Sequence, residues 1–599
     1  MATPVKRLNH RTRRGSIYVL TLGTTMIVAV LGLAALTLVR VQRMQMQGGD
    51  DMRNAQAYAK VALDMAWYRV QNDSSWRSKM ASGDWSTDQV IGDGYYSFTA
   101  TDPFDGNLTN SAVHPVVIVG VGKCGNSTQK LQMEIRALQP GIRCLEPVVL
   151  SNNNLVFDNT TVTSDRMVSA NHDAEVKNNA QAYTNKEAAN NIKSGSGGVW
   201  YGSTTTNGTW PRQLPNVSTL YSYYNMNGTP INYNDLPTWN ANLIDNPGAQ
   251  ASLYSVSPWY PVGDCSVSLD LNFENPGWLS FKVSDRDSTG DFLAQDVTSK
   301  LQSGVTYYTE AQVRTASNDE VYYTVKLKVV SSGSGTQYFN LTNTDKTKTS
   351  WLTISGNQTV TWTGTLTQAE FYVYADHASR SYCVDEVIMQ EAGAPSDVKV
   401  IHRQLLSPTS NPFGSGVKNG QGIYIIDCGG KKISIRNSRI VGTLILLNQN
   451  EGGSEIAGSI NWTPAVTSAD PMATNLPVLL SNKQLNLYFA NTPLDEGLRN
   501  ANFNPTGATA TPYNDSQDTD MSDSYPSLIN GVVYTEKKVS VTNSPTITGV
   551  LVAGDDINVK DATLGLKYDP IYYERNAPPG FQAAVTYYIV PNSYRQVVN

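Results

Sequence analysis

The sequence predicts a mainly β protein with one N-terminal transmembrane α-helix. An α+β head is expected after the helix, then a parallel β-solenoid interrupted by an antiparallel β-sandwich. Three observations predict this. Ile17 to Val39 contains no charged residue. Much of the chain after Cys144 consists of strand-like runs of roughly three to five residues, broken by Gly, Asn or Asp roughly every eight to ten. Between Trp239 and Ala392 longer segments alternate apolar and polar, as in Tyr322-Tyr-Thr-Val-Lys-Leu-Lys-Val, the period of a sheet buried on one face. The expected divisions are residues 1–46, 47–145, 146–235, 236–393 and 394–599.

The uncharged run has roughly the 20 apolar positions needed to cross a bilayer as a helix. Thr21, Thr24, Thr25 and Thr37 are tolerated there because their hydroxyls can bond back to helical carbonyls. Lys6, Arg7, Arg11, Arg13 and Arg14 precede it, which favours a cytoplasmic N-terminus and an extracytoplasmic bulk. A cleaved signal peptide is the competing reading, but its apolar core would be shorter. This run ends in Arg40-Val-Gln-Arg43, and it is read as an uncleaved single span.

Arg13-Arg14-Gly15-Ser16, a basic leader ending in glycine before the apolar run, resembles a type IV prepilin cleavage site. The resemblance implies a cut between Gly15 and Ser16, a membrane anchor, and other pilin or pseudopilin subunits as partners on a bacterial surface. The fifth residue after that cut is Leu20, where major pilins carry glutamate, a departure that suits minor pilins and pseudopilins. A plain membrane anchor is the alternative.

Gly48-Gly49 reads as a hinge. Met52, Ala55, Ala59, Ala62, Ala66 and Val70 then recur at helical spacing, and Tyr95–Ala100, Val116–Val121 and Leu131–Leu138 supply strands for that stripe to rest on. Helix before antiparallel strands is also how pilin heads are built.

Charged residues are 16% of the chain, tyrosines number 32 and the net charge is −6. That mixture suits exported β structure and gives no basic field, so nucleic acid is not expected as a partner. With five cysteines, Cys124 with Cys144 and Cys265 with Cys383 are candidate disulfide partners in an oxidising compartment, leaving Cys428 unpaired.

The solenoid reading covers Val148–Thr163 and, later, Gly422–Asp427, Lys432–Asn437, Ser438–Leu447, Gly531–Tyr534 and Thr546–Leu566. A β-sandwich with tight turns remains the alternative. Pro471, Pro477, Pro505 and Pro512 mark 470–520 as mostly loop, and Tyr587-Tyr-Ile-Val is expected to close the far end. The stretch from Asn530 to Phe581 is similar to the β-helical C-terminal region of large bacterial pilin-like proteins.

The order of phrases in the block 236–393 is similar to carbohydrate-binding modules of families 4, 9 and 22. They run Asn242–Gln250, Trp278–Arg286, Ala294–Leu301, Gly304–Arg314, Trp351–Gly356, Phe371–Tyr374 and Tyr382–Met389. That resemblance implies a jelly roll holding a β-linked polysaccharide. A glycan cleft needs flat aromatics for the sugar face and amide, guanidinium or carboxylate groups for the hydroxyls. The candidates are Trp259, Tyr260, Arg286, Phe292 and Asp376, with ordinary rim packing as the alternative for each. Phe292 lies near a position the family commonly fills with tryptophan, and Asp376 near one usually glutamate. Trp278, Tyr307, Trp351 and Tyr382 fall within strands and are expected in the core. These modules often hold a structural calcium. Asp385 matches its pattern, while Gln250 stands where a carboxylate is usual, so a structural calcium is a candidate and no cofactor is certain.

No nucleophile elbow, zinc-protease motif or phosphate loop occurs, and the five histidines are scattered. The expectation is a non-enzymatic, membrane-anchored surface protein that binds polysaccharide. A tethered polysaccharide-degrading enzyme and a structural pseudopilus component with a vestigial module stand as alternatives.

Overall fold

The computed structural model describes residues 14–251, 254–271, 279–465, 475–507, 512–514, 516–575 and 577–597. It divides into two compact units, Met1–Gln139 with Ala584–Asn599, and Pro140–Ala583.

In the first unit Arg14–Asn72 is one helix of 59 residues. The expected hinge is not there: Gly48 and Gly49 are helical. Each costs only about 1 kcal/mol relative to alanine, too little to break a helix seated on a sheet one turn later. Gly15 and Ser16 lie in its first turn. The apolar part is long enough to cross a membrane and none of it is buried, and Thr21, Thr24 and Thr25 bond back to carbonyls four residues earlier. Past Asp51 the helix changes character: Ala55, Ala59, Ala62, Leu63, Ala66 and Val70 are buried. They rest on an antiparallel sheet of Gln89–Ile91, Gly94–Thr101, Val116–Cys124, Ser127–Leu138 and Thr586–Ile589. Gly122 lets the backbones meet, since a Cβ there would stand 2.0 Å from the Ala55 carbonyl. The strand Thr586–Ile589 pairs with Ile135–Leu138 in this sheet. The expectation that it closes the solenoid is therefore corrected.

The second unit is built on a 23-stranded sheet whose strand pairs are all parallel, coiled around one apolar core. Short strands stack turn on turn, Val149 on Val168 and Val168 on Lys186. This excludes the antiparallel alternative. Two distant segments share the coil. The first winds out to Thr205–Asn207, and Thr229–Pro230 then pairs with Tyr424–Ile425. The second winds back until Leu551 pairs with Val149 and Ile557 with Leu155. Asn159, in a left-handed turn conformation, donates to Asp561 at 2.7 Å across that seam. Asparagine enters the left-handed region more readily than most residues other than glycine.

The loop expected over 470–520 is partly structured, with strands Leu479–Ser481 and Leu485–Phe489 and a helical turn Glu496–Arg499. Leu494, Phe503 and Tyr525 form a small core there. Beside them Glu496 is fully buried and accepts from the Tyr525 hydroxyl at 3.0 Å and the Asp523 amide at 3.2 Å. Burial pushes its carboxyl up from 4.5 to about 7. A raised acid stabilises the fold fully below the unfolded value, and the contribution is lost as pH rises through the folded one. Relative to Glu496→Gln, which cannot ionise, the wild type is expected to lose about 3 kcal/mol as pH climbs through this window. Parallel pH profiles of the two denaturation midpoints would refute it.

The block between the coil segments is an antiparallel sandwich. One sheet runs Tyr260–Val262, Phe292–Asp296, Leu366–Ala375, Val321–Ser331, Gly335–Asn340, with Asp345–Thr347 beside it. The other runs Ser266–Asp270, Ser280–Ser284, Tyr382–Glu391, Val305–Thr315, Leu352–Val360. Their facing sides share one core. Tyr307 and Tyr382 lie in it as expected, Trp351 is half-buried just before the strand Leu352–Val360 and is not part of that core, and Trp278 falls outside the described residues.

Candidate functional site

The outward face of the six-stranded sheet is the site that the sandwich presents. Alternation sets it. In Val321–Ser331 the residues Val321, Tyr323, Val325, Leu327 and Val329 are fully buried in the core, so Tyr322, Thr324, Lys326 and Lys328 point the other way. Register extends the face across the sheet, because paired residues share a side. One row joins Tyr260, Ala294, Tyr372, Lys326 and Asn340; the next joins Asp296, Glu370, Lys328 and Tyr338.

Phe292 stacks on Tyr372 with ring centroids 4.2 Å apart and planes at 24°. Phe292 is half-buried, Tyr372 is the nearly closed floor beneath it, and Tyr338 is 66% exposed at the edge. The Tyr260 hydroxyl donates to Glu370 Oε1 at 2.9 Å, and Lys326 Nζ lies 3.6 Å from the Tyr374 ring centroid. Burial pushes the Tyr372 phenol up to about 12 and holds the Lys326 ammonium below its ordinary value. The phenol therefore stays neutral and able to donate at physiological pH. Flat apolar surface thus lies beside fixed donors and acceptors, the pairing that a sugar ring requires.

Of the expected ligand contacts, Tyr260 and Phe292 are on this face. Asp376 is exposed at its rim, accepting from the Tyr322 amide at 2.9 Å. Trp259 is a correction: it is 2% exposed, packed against Phe281 and Phe371, with its indole donating to the Asn246 carbonyl. Consecutive strand residues face opposite ways, and the half-buried ring on the outer face is Tyr260. Arg286 is a second correction. It is buried, donating to the carbonyls of Asp291 (2.9 Å), His377 (2.6 Å), Arg380 (2.9 Å) and Ala375 (3.2 Å), so its guanidinium joins two loops and is not offered to a ligand. Tyr372, Tyr374, Glu370 and Lys326 were missed, although the alternation of Phe371-Tyr-Val-Tyr374 would have found the tyrosines.

Neither expected disulfide forms, and all five cysteines are free and buried. Cys124 ends a strand of the first unit's sheet, whereas Cys144 belongs to an apolar cluster in the second unit. The Cys265 thiol faces the Val262 carbonyl at 3.3 Å, while Cys383 sits in the opposite sheet near Asp270.

Asp385 and Gln250 do converge. A Cβ on Gly248 would lie 3.3 Å from Asp385 Oδ1, and the Gln250 amide nitrogen donates to the Gly248 and Leu279 carbonyls at 2.8 and 3.1 Å. Both carbonyls are thus already bonded to an amide N–H, and the neutral side chain at position 250 supplies no second charge for a divalent ion, so this set does not fit calcium. A chelator is expected to leave the thermal midpoint of the module unchanged. A fall reversed by added calcium would restore the ion. Elsewhere among the described residues Asp102, Asp105 and His114 bring ligand atoms within 4.8 Å, where Asp102 also takes the Phe104 amide and so shapes a turn.

An antiparallel two-sheet sandwich with an aromatic and hydrogen-bonding outer face defines a candidate glycan-binding module. Comparison with known proteins agrees: residues 241–380 match the family described as carbohydrate binding domain, so this block is a carbohydrate-binding module. The chain is similar to "Exoglucanase XynX" of Acetivibrio thermocellus, at 26% identity over 154 residues, 25% of this chain and 14% of that protein. Among solved structures, it is similar to the CBM22-1 xylan-binding domain of Paenibacillus barcinonensis Xyn10C. That match has 13% identity, covers 26% of this chain and 99% of that one, and has a TM-score of 0.24. Another is a CBM22 xylan-binding domain with 19% identity, 26% and 98% coverage, and a TM-score of 0.23.

Proposed function

We propose that this protein is a membrane-anchored, pilin-like surface protein whose module captures β-linked polysaccharide through its outer sheet face. The observation that carries the binding part is that face itself, with Phe292 stacked on Tyr372 beside Glu370, Lys328 and Asn340, inside the block matched as a carbohydrate-binding module. The aromatic stack would meet the apolar side of a sugar and the polar row its hydroxyls. The test is affinity electrophoresis of the ectodomain in gels containing soluble xylan or β-glucan. Retardation is expected, and unchanged migration across a broad glycan panel would remove the reading.

Anchoring and the pilin-like role are supported by one continuous helix, bare where it is apolar and packed on an antiparallel sheet where it is amphipathic. N-terminal sequencing from native membranes tests this. A mature start at Ser16 is expected, and an intact leader would reduce the segment to an ordinary anchor. The reading is of binding without turnover, so reducing-sugar release by the ectodomain would favour a tethered enzyme instead.

A further inference from the structure

Lys326 and Lys328 follow one another on the outer face of the six-stranded sheet, and among the described residues no salt bridge reaches either. Other cations of the module are neutralised. Lys282 pairs with Asp270 at 3.6 Å, Lys300 with Asp245 at 2.5 Å and Arg380 with Asp319 at 2.7 Å, and Lys346 pairs with Glu320. The acids of the face are turned elsewhere. Glu370 stands opposite Lys328 in register, but it is nearly closed to solvent and accepts from the Tyr260 hydroxyl at 2.9 Å. Asp296 accepts from the Thr298 amide at 2.8 Å and Asp376 from the Tyr322 amide at 2.9 Å. Lys326 itself is half-buried between two neutral partners in register, Tyr372 and Asn340. Its Nζ lies 3.6 Å from the Tyr374 ring centroid, and burial holds the ammonium below its ordinary value.

A tyrosine face attracts an ammonium group but brings no opposite charge. A partly desolvated lysine with neutral neighbours therefore gains most from an anion that arrives with the ligand. We propose that Lys326, assisted by Lys328, makes this face select β-linked polysaccharide bearing uronic acid groups over the neutral chain. The carboxylate meets the ammonium while the sugar backbone lies over the stack of Phe292 on Tyr372. Tyr372 is the in-register partner of Lys326, and directly opposed residues of a sheet stand about 5 Å apart at Cβ, so the charge falls within one sugar unit of the aromatic floor. The inference rests on glycan capture at this face and adds the class of glycan.

The test is calorimetric titration of the full chain in detergent with soluble glucuronoxylan and with the same polymer after carboxyl reduction. Reduction keeps the chain and its branches and removes only the charge. Wild type is expected to bind the uronate form roughly five- to tenfold more tightly, a preference that shrinks as salt screens the pair. Lys326→Gln is expected to remove the preference, whatever it does to affinity itself, and Lys326→Arg, which keeps a cation over the ring, to retain most of it. Lys328→Gln, expected to lower the preference by less, covers the case in which a Lys326 variant fails to fold. Equal affinity of wild type for the two polymers would overturn the selectivity and leave glycan capture standing. A preference undiminished in both glutamine variants would overturn its assignment to these lysines. Binding of neither polymer would remove the capture reading and this inference with it.

Discussion

Arg286→Ala is expected to destabilise the module by about 3–5 kcal/mol, enough to unfold it well below the wild-type midpoint. Four backbone carbonyls, from Asp291, His377, Arg380 and Ala375, converge on this one guanidinium. It also lies 5.1 Å over the Tyr382 ring, which is itself fully buried. Removing it leaves those acceptors without donors and opens space over a core aromatic, two of the mechanisms behind large losses. Arg286→Lys is expected to recover only part, because one ammonium cannot serve four diverging carbonyls. Denaturant titration of the ectodomain measures the loss, and glycan affinity of the remaining folded protein distinguishes a structural role from a ligand contact. Unchanged stability with abolished glycan binding would return Arg286 to the site and undo the clamp.

Phe292→Ala is expected to weaken polysaccharide binding by about 2 kcal/mol, some thirtyfold in Kd, with little change in thermal midpoint. The ring is half-buried on the outer face and gains its position from the Tyr372 ring 4.2 Å beneath it, so little of the core depends on it. Phe292→Trp, with a larger flat surface over the same floor, is expected to bind more tightly than wild type. Trp259→Ala, by contrast, is expected to fail by unfolding, because that indole fills the space between Phe281 and Phe371. The expected ordering places tryptophan above phenylalanine and alanine last at position 292. Equal affinities across the three would move the contact away from this face.

Local patterns carried much of the architecture. An uncharged run of apolar residues, the alanine stripe after Asp51, period-two alternation and the short beats of the coil each report a face or a period, and a face is a property of neighbouring residues. Tyr260 and Phe292 were legible as candidates for the same reason, an aromatic type in a polar setting. What only the tertiary structure decided was which distant strand or loop each element meets. Leu551 seats on Val149, and Thr586–Ile589 joins the sheet of Ser127–Leu138. Trp259 turns inward while Tyr260 turns out, and Arg286 meets carbonyls nearly a hundred residues away. Backbone carbonyls and parallel ladder edges are chemically alike along the whole chain, so the sequence contains no local mark of the partner. The choice follows from closure of the coil and sandwich around their cores.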